Sequence, residues 1–127
     1  MFSHVTVGAA DLGPSIAFYD PLLALLGLSR QETIEGLGAC WAAQPEAAPQ
    51  FWVLRPIDGG APARGNGVTV GFEAADRAAV DALHATGLTL GGTCEGPPGL
   101  RAHYHPDFYG AYLRDPDGNK LCFVCHR

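Results

Sequence analysis

The chain has 127 residues, 47% of them hydrophobic and 17% charged, with a formal net charge of −5. That is one domain's worth of sequence with enough apolar material for a packed core, which excludes a disordered chain. The negative balance argues against nucleic acid as a partner, and the greasiest segment, the eight residues Pro21 to Leu28, is far short of a membrane span.

The chain opens on His-Val-Thr-Val-Gly, an alternating strand in which Val5 and Val7 face one way and His4, Thr6 and Gly8 the other. The first residues lack a basic and apolar leader, so the expected location is cytoplasmic. Cys40, Cys94, Cys122 and Cys125 are accordingly expected as free thiols. Asp11 suits the N-cap of a helix of about ten to fifteen residues, whose apolar face is Ile16, Tyr19, Leu22, Leu23 and Leu26. Pro21 is expected to kink that helix or limit its regular part, and Gly27 to cap it in the left-handed region. Strands follow at Ser29–Ile34, Ala39–Ala43 and Phe51–Arg55, and the Pro- and Gly-rich segment Pro56–Gly67 leads onward.

The pattern then repeats. Val68, Val70 and Phe72 oppose Thr69, Gly71 and Glu73 on a second opening strand, and Asp76 caps a second helix marked by Ala79, Val80 and Leu83. Gly87 stands where its C-cap is expected, and strands are predicted at about Leu90–Cys94, Gly110–Arg114 and Lys120–Cys125. Asp115-Pro116-Asp117-Gly118-Asn119 joins the last two as a tight turn, since Pro116 presets φ and Gly118 accepts a positive one. On the outgoing strand Cys122, Val124 and His126 face one way, and Leu121, Phe123 and Cys125 the other. The C-x-x-C sulfurs therefore point apart and cannot chelate one ion.

Each half reads β-α-β-β-β, giving one domain, 1–127, with modules at about 1–62 and 67–127. The expected fold is α+β. Helices lie outside, and the sheets curl into a partly open, eight-stranded barrel-like arrangement. Three strands pair an oily back with a small or polar front, so the front is expected to line a hollow that takes a small organic molecule.

Several side chains are candidates for that work. His103 and His105, in the loop Pro97–Phe108, have a spacing that puts both rings on one side of an extended segment. They suit a metal or a proton shuttle, with His105 the candidate acid–base group; the alternative is a surface loop. Arg101 offers a bidentate fork for a carboxylate or phosphate, against an exposed ion pair. Tyr112 offers a hydroxyl to a ligand oxygen, and Trp52 a ring wall, against plain packing for both. Cys122 becomes a candidate nucleophile if His4 or His126 lies beside it.

A duplicated unit of this order, with H-V-x-V-x-x-x-D-L at the start and D-P-D-G-N near the end, resembles the vicinal oxygen chelate superfamily. That group includes glyoxalase I, extradiol dioxygenases, fosfomycin-resistance enzymes and bleomycin-binding proteins. The stretch HYHPDFYGAYLRDPDGNKL is most similar to small glyoxalase-like proteins. The resemblance implies a divalent ion (Zn, Ni, Fe or Mn) held by His, Gln or Glu from each first strand and Glu from each last strand. The ion would act as a Lewis acid on two neighbouring substrate oxygens. It also implies a homodimer, in which chains sometimes complete each other's pocket.

Carried over residue by residue, the metal positions fall on His4, seven before Asp11, on Thr69, seven before Asp76, and on Cys122, with Trp52 near the fourth. One conventional ligand of four remains. A neutral hydroxyl is a poor donor and an indole is none, so the set favours no metal over a soft ion on His4 and Cys122. Two readings follow: a glyoxalase-like lyase, isomerase or dioxygenase with a degraded metal site, or a metal-free module that binds or sequesters a small molecule.

Overall fold

The computed structural model describes all residues, Met1 to Arg127. Its elements are β1 (His4–Gly8), α1 (Leu12–Ala24), β2 (Ser29–Ile34), β3 (Gly38–Ala42), β4 (Gln50–Leu54), β5 (Val70–Glu73), α2 (Arg77–Thr89), β6 (Thr93–Leu100), β7 (Tyr109–Arg114) and β8 (Lys120–Cys125). The α+β class and the tandem βαβββ modules match the sequence pattern. The strands divide into two four-stranded sheets, ordered β1-β4-β3-β2 and β5-β8-β7-β6, which are not closed on each other. In each sheet the opening strand pairs in parallel with the last strand of its module, and the other pairs are antiparallel.

Both helices start where an aspartate meets free amides. Asp11 accepts from the Gly13 N–H at 3.2 Å and Asp76 from the Ala79 N–H at 2.8 Å. Pro21 lies inside α1 without ending it. Helix α1 then closes with Leu28 N–H on Leu23 O and Gly27 N–H on Ala24 O, with Gly27 at φ 74° as expected. Helix α2 ends differently from its sequence reading. Its left-handed residue is Gly91 at φ 96°, with Gly92 N–H bonded to Gly87 O. Gly87 itself is buried within the helix, against Leu113 of β7, where a Cβ would collide with that side chain. Its role is close packing of helix on sheet rather than termination.

Strand β6 also runs beyond its expected end, through Pro97 and Pro98 to Leu100. It is an edge strand with register shifts around Gly96, so amides on its outer side need no partner and proline is tolerated. Residues 101–108, by contrast, coil through two tight turns, with Tyr104 N–H on Arg101 O and Phe108 N–H on His105 O. The extended alternation assumed for His103 and His105 therefore does not apply there.

The backs of both sheets and the apolar faces of both helices form one core of 18 buried residues. Phe51 of β4 meets Phe72 of β5 edge-on at 5.3 Å, and Phe72 stacks on Phe123 of β8 at 5.8 Å, so the modules join through their backs. A polar latch adds to this. The Asp115 carboxylate, 4% exposed, accepts from the Tyr19 hydroxyl at 2.6 Å, the Asn119 side-chain amide at 2.9 Å, and the Asp117 and Asn119 backbone amides at 2.9 and 2.8 Å. Asn119 also donates to Gly8 O at 2.8 Å, and Asp117 receives Ala10 N–H at 2.9 Å and Ser15 Oγ at 3.2 Å. The D-P-D-G-N turn thus pins the second module to the β1–α1 junction of the first. No helix is long and apolar enough to cross a membrane.

Candidate functional site

The period-two alternation of β8 and β5 presents Thr69, Gly71, Lys120, Cys122, Val124 and His126 on the front of the second sheet. With Tyr112 from β7, Glu95 from β6, and Arg101, Tyr104 and Phe108 from the coil that follows, they line an open recess of about 560 Å³. This is within the size range of small-molecule sites.

The recess is cationic where it counts. Arg101 donates to Gly99 O at 2.9 Å and Pro97 O at 2.7 Å, which fixes its guanidinium over the Tyr112 ring, 5.6 Å from the centroid. Gly96 and Gly99 make that seat: a Cβ on either would come within 3.0 or 3.2 Å of the guanidinium nitrogens. The Lys120 ammonium lies over the same ring at 5.2 Å. Neither Arg101 nor Lys120 belongs to an ion pair, whereas Glu95 is held by Arg114 at 2.9 Å. That guanidinium keeps the Glu95 carboxyl below the usual range.

Burial holds the Tyr112 phenol above its ordinary value, and Cys122 and Tyr104 beside it add to the shift. Burial also pushes the Cys122 thiol up, by more than the Tyr112 hydroxyl, Arg101 and Lys120 pull it down. At neutral pH the recess therefore holds a protonated thiol and a protonated phenol, both donors, between two cations.

The front of the first sheet lines a different recess, of about 380 Å³, formed by His4, Thr6, Ile34, Leu37, Gln50, Trp52 and Leu54. It is mainly apolar. Ile34 and Leu37 are 38% and 43% exposed, and the Trp52 indole is tethered to Gln50 at 3.0 Å. His4 is exposed, its Nδ1 2.7 Å from the Ser3 hydroxyl.

The register settles which positions correspond. Val5 pairs with Phe51 as Val70 pairs with Leu121, so Thr6 and Trp52 stand opposite one another as Gly71 and Cys122 do. Thr69, Cys122, Tyr112 and Arg101 come together in one recess, and His4 and Trp52 in the other. Within one chain no residue lines both, so the expected meeting of the His4 imidazole with the Cys122 thiol does not occur there.

His103 and His105 separate. His103 packs on Tyr104 at 4.2 Å, and His105 reaches His126, Nε2 to Nδ1 at 2.8 Å. Because the Asp107 N–H donates to His105 Nδ1 at 3.1 Å, the His105 proton sits on Nε2 and is given to His126. Lys120, which no sequence motif singles out, also lines the recess; it lies two before Cys122 and so shares its face.

No group of three or more His, Cys, Asp or Glu side chains is placed to hold a metal ion. The donor chemistry agrees: an indole at Trp52 is no ligand, a neutral hydroxyl at Thr69 is a poor one, and His4 and Cys122 line separate recesses, so the set does not fit the divalent ion the superfamily resemblance implies.

Comparison with known proteins places this geometry. The family model of the Glyoxalase/Bleomycin resistance protein/Dioxygenase superfamily matches residues 1–123. The chain belongs to that superfamily. A glyoxalase/bleomycin resistance protein from Albidiferax ferrireducens T118 is 44% identical, with a TM-score of 0.85, over 100% of this chain and 99% of that one. A glyoxalase/bleomycin resistance protein/dioxygenase family enzyme from Burkholderia phytofirmans PsJN matches at 19% identity and TM-score 0.74, over 98% of each chain. Lactoylglutathione lyase from Agrobacterium tumefaciens matches at 22% identity and TM-score 0.66, over 98% of this chain and 92% of that one. The last two likenesses show the glyoxalase fold alone. No curated protein matches the chain.

Proposed function

We propose that this glyoxalase-superfamily protein binds a small organic anion with an apolar body, without a metal, in a cavity that two copies of the chain close together. The carrying observation is the pair of unpaired cations, Arg101 and Lys120, converging over Tyr112 and Cys122 at the front of the second sheet. A guanidinium already fixed by two carbonyls loses little freedom when it takes a carboxylate, and the phenol and thiol supply further donors.

The apolar wall comes from a second copy. Trp52, Leu54, Ile34 and Leu37 form an open apolar face with nothing of its own chain against it. Set against the partner's cationic recess, it would exclude water and cover the ligand's body. Thr69 and Cys122 then serve as ligand-contacting groups on the wall. The four free cysteines suit a reducing, cytoplasmic setting.

Lyase, isomerase or dioxygenase chemistry through a metal is the alternative, and what favours it is the exposed His4 at a superfamily ligand position. Calorimetric titration with aromatic and aliphatic monocarboxylates, each against its neutral amide, tests the preferred reading. Carboxylates should bind with a chelator present, and amides should not. Equal binding of amides, or a stoichiometric divalent ion that purified protein loses on His4→Ala, would overturn it.

A further inference from the structure

A histidine and a cysteine meet on the helix-covered side of the second module, away from the recess. Helix α2 buries Val80, Leu83, His84 and Gly87 in one row facing the sheet. His84 occupies a position where that row calls for an apolar side chain, and it is 7% exposed. Its Nε2 lies 3.2 Å from the Cys94 sulfur, and no other side chain bonds it. The thiol is a weak hydrogen-bond partner, so the position carries a base where packing would be served by an apolar side chain.

Cys94 is the one exposed cysteine; Cys40, Cys122 and Cys125 are buried. It sits on β6, an edge strand, beside the register shift at Gly96, so its outer side is open to approach. An accessible thiol within reach of a base is the arrangement of an activated sulfur nucleophile.

We propose that Cys94 and His84 form a thiol–disulfide exchange site for low-molecular-mass disulfides. The thiol proton passes to His84 Nε2 as the sulfur attacks one sulfur of the disulfide. A new S–S bond forms, the old one breaks, and the leaving thiolate collects the proton from the imidazolium. The incoming disulfide is the oxidant, and the product is a mixed disulfide on Cys94 that a free thiol reverses. Burial lowers the affinity of His84 for a proton, with Asp81 opposing, so the resting ring is neutral and holds the thiol proton only in transit to the leaving thiolate.

The probe is 2-hydroxyethyl disulfide, which carries no charge, read by intact mass and peptide mapping. One adduct should form, on Cys94, and Cys94→Ser should form none at that site. The folded protein should react at Cys94 about fivefold or more faster than the same protein unfolded in urea, a comparison that needs no variant. His84→Gln should remove that advantage. A folded rate equal to or below the unfolded one, or first reaction at another cysteine, would overturn the proposal.

Discussion

The two recesses share one backbone plan and opposite chemistry. In the first module the front carries His4, Thr6, Trp52 and Leu54; in the second the same register positions carry Thr69, Gly71, Cys122 and Val124, joined by Arg101, Lys120 and Tyr112. Both modules share the pairing of first with last strand and the oily backs, because both build the common core. The fronts take no part in that core, and they differ: one is mainly apolar, the other cationic. On the proposed reading the two recesses are half-sites of one cavity, and a second copy of the chain is what would bring them together.

The largest expected effect tests what holds the halves together. Only the second module carries the Asp115 latch, and Asp115→Ala leaves the Tyr19 hydroxyl and the Asn119 amide without their buried acceptor. We expect a loss of about 3 kcal/mol in urea unfolding, with Tyr19→Phe costing about 1 kcal/mol. An effect near zero for Asp115→Ala would mean that the shared core alone sets the arrangement of the modules.

Next in size is the cationic half-site. Arg101→Ala should weaken carboxylate binding by about tenfold to a hundredfold in calorimetry, the worth of a charge-assisted fork, and leave unfolding unchanged. Arg101→Lys should recover only part, because an ammonium cannot reproduce the fork.

The helix ends offer a subtler contrast. Gly87→Ala should cost about 2–3 kcal/mol of stability through its collision with buried Leu113, whereas Gly27→Ala, in open space at positive φ, should cost about 1 kcal/mol. Equal costs would erase the distinction between a packing glycine and a capping one.

The smallest effect is a pH dependence confined to the second module's back. Burial lowers the proton affinity of His84 in the fold, with Asp81 opposing. The unfolded chain therefore binds the proton first. Stability from this group is complete above about pH 6.5 and is lost as pH falls below it. Chemical denaturation across that range should show a shallow decline that His84→Gln flattens.

Much of this plan is legible in the residues. Period-two alternation places Val7, Phe72 and Phe123 in the core and His4, Thr69 and Cys122 on fronts, and Asp11 and Asp76 mark both helix starts. What alternation cannot say is how the sheets meet. It identifies backs and fronts, but the Phe51–Phe72–Phe123 contact and the Asp115 latch are long-range, and they join the modules back to back. The single-chain hollow read from the fronts therefore becomes two separate recesses. The seat of Arg101 depends on two β6 carbonyls and on irregular pairing around Gly96, and the His105–His126 contact spans turns where a spacing rule on extended chain has no force.

The central claim is that one site takes its apolar wall and its cationic wall from different chains. Mixing Trp52→Ala chains with Arg101→Ala chains, after confirming that neither binds the carboxylate alone, tests it directly. If walls come from partners, mixed dimers rebuild one intact site and titration should recover binding to about a quarter of the wild-type sites. If both walls belong to one chain, the mixture will bind no better than either variant, and the account is contradicted.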